Sequence, residues 1–178
     1  MPRSAAAAPP PTAYQRALRR LARRDHSVVE LRRALLDRGH DEEEVAAAID
    51  RLRRERYVDD TGFAERFARS RMANQGHGRL RVRHDLRLRG VERRTVEAGI
   101  ARALREIDEK GIVDGLARRY WRQHAAVEPT RRLLRLWAFL VRRGFAPALV
   151  RDRLSRLWPK WSDALEGLEP ADDAGGVS

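Results

Sequence analysis

The chain contains no cysteine among its 178 residues. Disulfide frameworks and thiolate metal sites are therefore excluded, and the absence fits a reducing compartment. Aromatic residues make up only 6% of the sequence, so any core must be filled largely by Leu, Val, Ile and Ala. Lysine occurs only at positions 110 and 160; the remaining basic residues are arginines. The longest unbroken apolar run, Leu136 to Val141, is far too short to cross a bilayer. The opening MPRSAAAAPPPT lacks the apolar stretch of a signal peptide. These absences predict a soluble, cytoplasmic protein without membrane association. No segment shows the period-two alternation of a strand. The phosphate-cradling G-x-x-x-x-G-K-[ST] pattern and the H-E-x-x-H zinc pattern are also missing, and the chain is expected to need no cofactor or metal.

What is abundant is charge, and it is unevenly spread. The net charge is +12, with 36% of residues charged. From Tyr14 to Asp60 there are 12 basic and 11 acidic residues; from Arg66 to Arg94 there are 10 and 2; from Leu116 to Trp161 there are 12 and 2. The first third is nearly neutral and the remainder strongly basic. Such asymmetry points to an acidic or polyanionic partner, set against the plainer reading of a solvated helical surface.

A repeat organises the chain. LLDRGHDEEEV at 35–45, LRLRGVERRTV at 86–96 and LVRRGFAPALV at 140–150 share the pattern L-x-x-R-G-x-x-x-x-x-V. Glycine tolerates a positive φ and commonly stands just past a helix end. The preceding Arg lies where a cation meets the negative end of the helix dipole. Leu31, Val82 and Leu136 stand eight residues before the glycines, and Leu35, Leu86 and Leu140 stand four before. Val45, Val96 and Val150 follow by six, and Ile49, Ile100 and Leu154 by ten. Steps of four place each set on one helical face, so every repeat holds two amphipathic helices joined at a glycine turn.

A third helix is expected before each pair, at 13–24, 60–74 and 111–126. Ser27 with Glu30, and Asp41 with Glu44, read as capping boxes. Asp60 is expected to cap the helix carrying Phe63 and Phe67. NQGHG at 74–78 and EPT at 128–130 break the chain, and Pro147 suits a first helical turn. The predicted fold is all-α: three tandem three-helix repeats at 13–59, 60–110 and 111–161 in an elongated, curved array of either hand. Each unit is too small to bury much apolar surface alone, so stacking on neighbours is expected to complete the core. Residues 1–12 and most of 162–178 are expected to be disordered.

Sites for chemistry are sparse. The histidines at 26, 40, 77, 84 and 124 show no ligand spacing, and His77 in GHG reads as a turn. Asp59 and Asp60 could pair as carboxylates but fit helix caps better. Of the tryptophans at 121, 137, 158 and 161, Trp137 falls on the apolar face and reads as core; stacking on nucleobases is the alternative use. The interaction candidates lie in GRLRVRHDLRLRG, where Arg79, Arg83 and Arg87 recur every four residues, with Arg81, Arg89, Arg93 and Arg94 alongside. Arg131, Arg132, Arg135, Arg142 and Arg143 form a second basic set. Guanidinium groups so arranged can pair bidentately with phosphate or carboxylate. Arg79, Arg81, Arg83, Arg87, Arg94, Arg131, Arg132 and Arg135 are the expected partner-binding residues, and spacing does not separate nucleic acid from an acidic protein face.

The order of RDHSVVELRRAL, YVDDTGFAERFARSR and LRLRGV resembles the RecX family of bacterial regulators of RecA. The likeness runs from about Tyr14 to Trp158 and is looser in the third repeat, where RRLLRLWAFLVRRGF still fits. The resemblance implies a non-enzymatic, monomeric protein that lies in the groove of the RecA nucleoprotein filament and restrains recombinase, ATPase and coprotease activity. It thereby implies a place in homologous recombination, DNA repair and the SOS response. Some family members also bind single- or double-stranded DNA. The resemblance carries no catalytic residue across. A stand-alone DNA-binding protein and a plain helical adaptor are the competing readings.

Overall fold

A computed structural model describes residues 10–161. The disorder expected before residue 10 and after 161 lies outside the described residues. Within them the chain is all-α, with no strand. The order is α1 (Ala13–Leu21), α2 (Val28–Leu36), α3 (Glu42–Arg54), α4 (Asp60–Gln75), α5 (Arg79–Leu88), α6 (Arg93–Glu106), α7 (Glu109–Gln123), α8 (Pro129–Arg142) and α9 (Pro147–Leu157). A single 3₁₀ turn, Pro159–Trp161, follows.

The repeat explains itself in the turns. Gly39, Gly90 and Gly144 have φ of 84°, 75° and 83°. Each glycine donates to the carbonyl three residues back, and the next residue reaches five back: His40 to Leu35, Val91 to Leu86, Phe145 to Leu140. This is the Schellman closure, which satisfies helix-end carbonyls and needs a left-handed residue at the glycine. The repeated Leu, Val and Ile positions around these turns are all 5% exposed or less.

The helices pack in triplets. α1–α3 enclose Ala17, Leu31, Leu35, Val45 and Leu52. α4–α6 enclose Phe63, Met72, Val82, Leu86 and Ile100. α7–α9 enclose Val113, Leu136, Trp137, Phe145 and Leu154. Trp137 is thus a core residue, 5% exposed. Stacking on neighbours was expected to complete the core; among the described residues each triplet instead has its own cluster, because it directs its apolar stripes inward.

The joints between triplets are polar instead. At the first, Ser27 Oγ donates to the Arg89 carbonyl, Val28 N–H to Asp60 (2.9 Å), and Arg89 pairs with Glu30. At the second, the N–H groups of Gly78 and Leu80 donate to the carbonyls of Arg143 (2.8 Å) and Gly144 (2.9 Å). In both, the start of the middle helix of one triplet seats on the glycine turn of the next. The close approach is visible at Gly90, where a Cβ would fall 2.5 Å from Val29 Cγ1, and at Gly144, where it would fall within 2.9 Å of the Arg81 backbone. Gly39, on the first triplet, has nothing within 4 Å of that position.

Two cap expectations change. Asp59, not Asp60, caps α4, accepting from Thr61 N–H (2.9 Å) and Gly62 N–H (2.8 Å). Asp60 is thereby released to the joint with Val28. Asp41 accepts from Glu44 N–H (2.7 Å), but the Glu44 carboxylate turns away to Ala13 N–H (2.7 Å) and His40 (2.7 Å). It therefore ties α3 to α1 instead of closing a reciprocal box. The Ser27–Glu30 box is complete.

Candidate polyanion interface

Of the eight arginines expected to bind a partner, three are engaged within the chain. Arg83 forms a bidentate pair with Glu97 (2.6 and 2.8 Å), whose carboxyl it pulls below the usual range. Arg79 pairs with Glu109, which is 4% exposed and also accepts from Arg79 N–H at 3.0 Å, so this pair ties α5 to α7. Arg132 lies 3.8 Å over the Trp121 ring and donates to two backbone carbonyls. Within the stripe Arg79–Arg83–Arg87, Arg79 and Arg83 thus meet acids of this chain, and among the described residues only Arg87 of the three lacks a carboxylate partner. Arg87, Arg94, Arg131 and Arg135 are exposed, and the grooves described below leave them outside. Arg81 lines two of these grooves.

The groove itself begins on the first triplet. Arg16, Arg19, Arg20 and Arg23 of α1 and its end, with Arg24 and Arg38, surround a hollow of about 660 Å³ floored by His26, Ala34 and Leu35. Arg24 also lines the next two hollows, which add Arg66, Arg71, Arg89 and Arg81 at the joint of the first and second triplets. Arg81, Asp85 and Leu88 carry the surface on to Arg142 and Gly144 of the third. The shared residues make these hollows one continuous tract crossing both joints. It is lined by eleven arginines against three carboxylates, Asp25, Glu30 and Asp85. Two of those carboxylates are already neutralised, Asp25 by Arg66 at 2.8 Å and Glu30 by Arg24 and Arg89.

The field of these guanidiniums registers on the histidines. Burial and the nearby Arg24 push the His26 imidazole down, and burial and Arg81 do the same to His77. The Glu30 carboxyl, raised by burial, is drawn below its ordinary value by Arg24, the Ser27 N–H and Arg89 together. His26 is 7% exposed, and its Nδ1 has no hydrogen-bond partner; neither has the buried Nε of Arg16.

Averaging charge along the first third concealed this surface. The signal was present in QRALRRLARR, where arginines at 16, 19 and 20 share one flank of α1, beside the face that buries Ala13 and Ala17, and Arg23 follows just past its end. Trp158 packs on Trp121, with ring centroids 4.6 Å apart, rather than standing free for nucleobases. No group of His, Asp or Glu among the described residues could hold a metal ion, and no helix is long and apolar enough to cross a membrane.

Comparison with known proteins gives the family. Residues 13–52 match the RecX first three-helix domain and residues 59–100 the RecX second three-helix domain. A "Regulatory protein RecX" of Xanthomonas axonopodis pv. citri (strain 306) is 38% identical over 140 residues, covering 79% of this chain and 84% of that relative. The chain belongs to the RecX family. The regulatory protein RecX of Halorhodospira halophila (strain DSM 244 / SL1) is 39% identical over 136 residues, covering 76% and 81%. Among solved structures, RecX from Lactobacillus salivarius superposes with a TM-score of 0.72 at 17% identity, covering 82% of this chain and 94% of that one. A second regulatory RecX structure gives 0.69 at 22% identity, covering 80% and 71%. These two establish the all-helical fold alone.

Proposed function

We propose that this RecX-family chain binds the RecA nucleoprotein filament and restrains its recombinase, ATPase and coprotease activities by occupancy rather than catalysis. The supporting observation is the arginine tract, which crosses both joints and so presents cations from all three triplets to one extended partner. A filament of acidic protein surface and phosphate supplies such a partner. Multi-point attachment to it would weaken steeply with salt wherever phosphate contributes. The reading places the protein in the cytoplasm, as a monomer acting on a polymer.

The test is RecA ATPase on single-stranded DNA at increasing protein, together with co-sedimentation with RecA filaments. A dose-dependent fall in turnover with co-sedimentation is expected. Unchanged turnover and no association would refute the proposal. The same tract favours a second reading, a protein that binds DNA without RecA; tight, salt-sensitive binding to bare duplex with no effect on RecA would establish that one instead.

A further inference from the structure

We infer that the arginine hollow on the first triplet is a phosphate cradle, which grips the backbone of a single nucleic-acid strand without reading its bases. The inference rests on the filament reading above and deepens it by naming which component of the filament this end of the chain touches.

The chemistry of the lining carries the argument. Arg16, Arg19, Arg20, Arg23 and Arg38 surround the hollow, and none has an ion pair among the described residues. Arg24 pairs only with Glu30, at 3.3 Å and half-exposed. Elsewhere in the molecule arginines near acids do pair, as Arg83 does with Glu97 and Arg153 with Asp114. No acid lines this hollow, and beyond Glu30 the acids Glu42 and Glu55 of the first triplet meet Arg32 and Arg51 instead. Like charges so concentrated repel one another, and a phosphate polymer removes that repulsion while releasing its own counterions.

Shape and composition narrow the ligand. A hollow of about 660 Å³, open to solvent, has room for the backbone of a few nucleotides. Its lining contains no Phe, Tyr or Trp ring, so it lacks the usual aromatic platform for bases. The ring nearest along the tract, Phe67, is flanked by Arg71 and Arg89, each 5.0 Å from its centroid. The charge of this lining favours phosphates. Arg24 then hands the strand toward Arg71 and Arg81 across the first joint.

The test compares the full-length protein with Arg16→Glu/Arg20→Glu and Arg16→Gln/Arg20→Gln. The control is Arg105→Glu/Arg118→Glu, two exposed arginines outside the tract. The probe is a fluorescein-labelled thymidine oligonucleotide, read by anisotropy without RecA across a salt series. Wild-type affinity is expected to fall steeply with salt, and the Gln pair to flatten the log–log slope by about 1.4, at ~0.7 for each of two phosphates. The Glu pair should weaken binding at least tenfold, the control less than threefold, and Arg16→Lys/Arg20→Lys should restore the slope. A mixed-sequence oligonucleotide should bind within about threefold of the thymidine one. Circular dichroism confirms that each variant is folded, and the Lys pair keeps the test valid if a Glu variant is not. Affinity unchanged in the Gln and Glu pairs, or lost equally in the control, would overturn the cradle. So would loss of binding to DNA-free RecA with oligonucleotide binding intact, which would assign the hollow to an acidic protein face. Oligonucleotide binding that needs the cradle in a protein with no effect on RecA would uphold the inference and refute the filament reading.

Discussion

Substituting alanine at Gly39 and at Gly144 separates what a glycine does for its own turn from what it does for a joint. Both positions have nearly the same φ, 84° and 83°. The left-handed penalty on an added Cβ is therefore common to both, about 1–2 kcal/mol. At Gly39 nothing lies within 4 Å of the new atom, so the cost ends there. At Gly144 the new atom lands within 2.9 Å of Arg81 N, Cα and Cβ, none of which can swing aside as a side-chain tip would. Relief requires α5 to lift off the turn, which loses the hydrogen bonds from Gly78 and Leu80 to the carbonyls of Arg143 and Gly144. At about 1 kcal/mol each, the second substitution should cost ~2 kcal/mol more than the first. The assay is amide hydrogen exchange at Gly78 and Leu80. Gly144→Ala should speed exchange there by roughly tenfold or more, while Gly39→Ala leaves it unchanged. Equal protection in the two variants would refute the claim that the third glycine turn is a seat for α5.

Separate cores predict separate losses. Phe145 is fully buried in the third cluster, so Phe145→Ala should cost about 3–5 kcal/mol. The loss should fall on α7–α9, with exchange protection in α2 and α5 retained; a uniform loss of protection from α1 to α9 would contradict it. Acidity should act through His26 and His77. Burial and nearby arginines make both bind a proton less readily when folded, so the unfolded chain holds more protons near and below pH 6.5. Stability should be greatest above that value and decline as pH drops through it. Thermal midpoints between pH 8 and 5.5 should fall in the wild type and less so in His26→Gln/His77→Gln. A wild-type midpoint that stays level, or rises toward pH 6, would show the sign to be wrong.

Much of the fold was legible because helical order is written in local spacing. The glycine register alone located Leu35, Leu86, Leu140 and their partners on buried faces, and the Ser27–Glu30 box marked a helix start that the structure keeps. The joints were not legible, since they depend on groups that carry no pattern. Backbone N–H donors at Gly78 and Leu80 meet carbonyls more than sixty residues away. Asp60 looked like a cap and became a tie to Val28, because Asp59 beside it has the better reach to the α4 amides. The pairing of the arginines was not legible for a related reason. Periodicity located Arg79 and Arg83 on one stripe, but the acids that meet them, Glu109 and Glu97, come from other helices. A charge count over a window cannot tell an arginine that faces a carboxylate from one that faces water, and the nearly neutral first third held the densest group of the latter.

The two joints are built alike, and the third repeat shows why the series does not continue in the same way. A joint needs a helix start with donors to give, as α5 gives Gly78 and Leu80 and as the start of α2 gives Ser27 Oγ and Val28 N–H. The matching helix of the last triplet, α8, begins differently. Pro129 has no N–H, and the amides of Thr130 and Arg131 are taken by the Glu128 carboxylate at 2.9 and 2.8 Å. That carboxyl is held below its usual range by the same two bonds. At the other end, the Gly39 turn keeps its seat open. An open seat with no free helix start to match it removes the basis for head-to-tail growth through this contact. It leaves the basic tract, rather than the repeat ends, as the surface by which the described chain can follow a long partner.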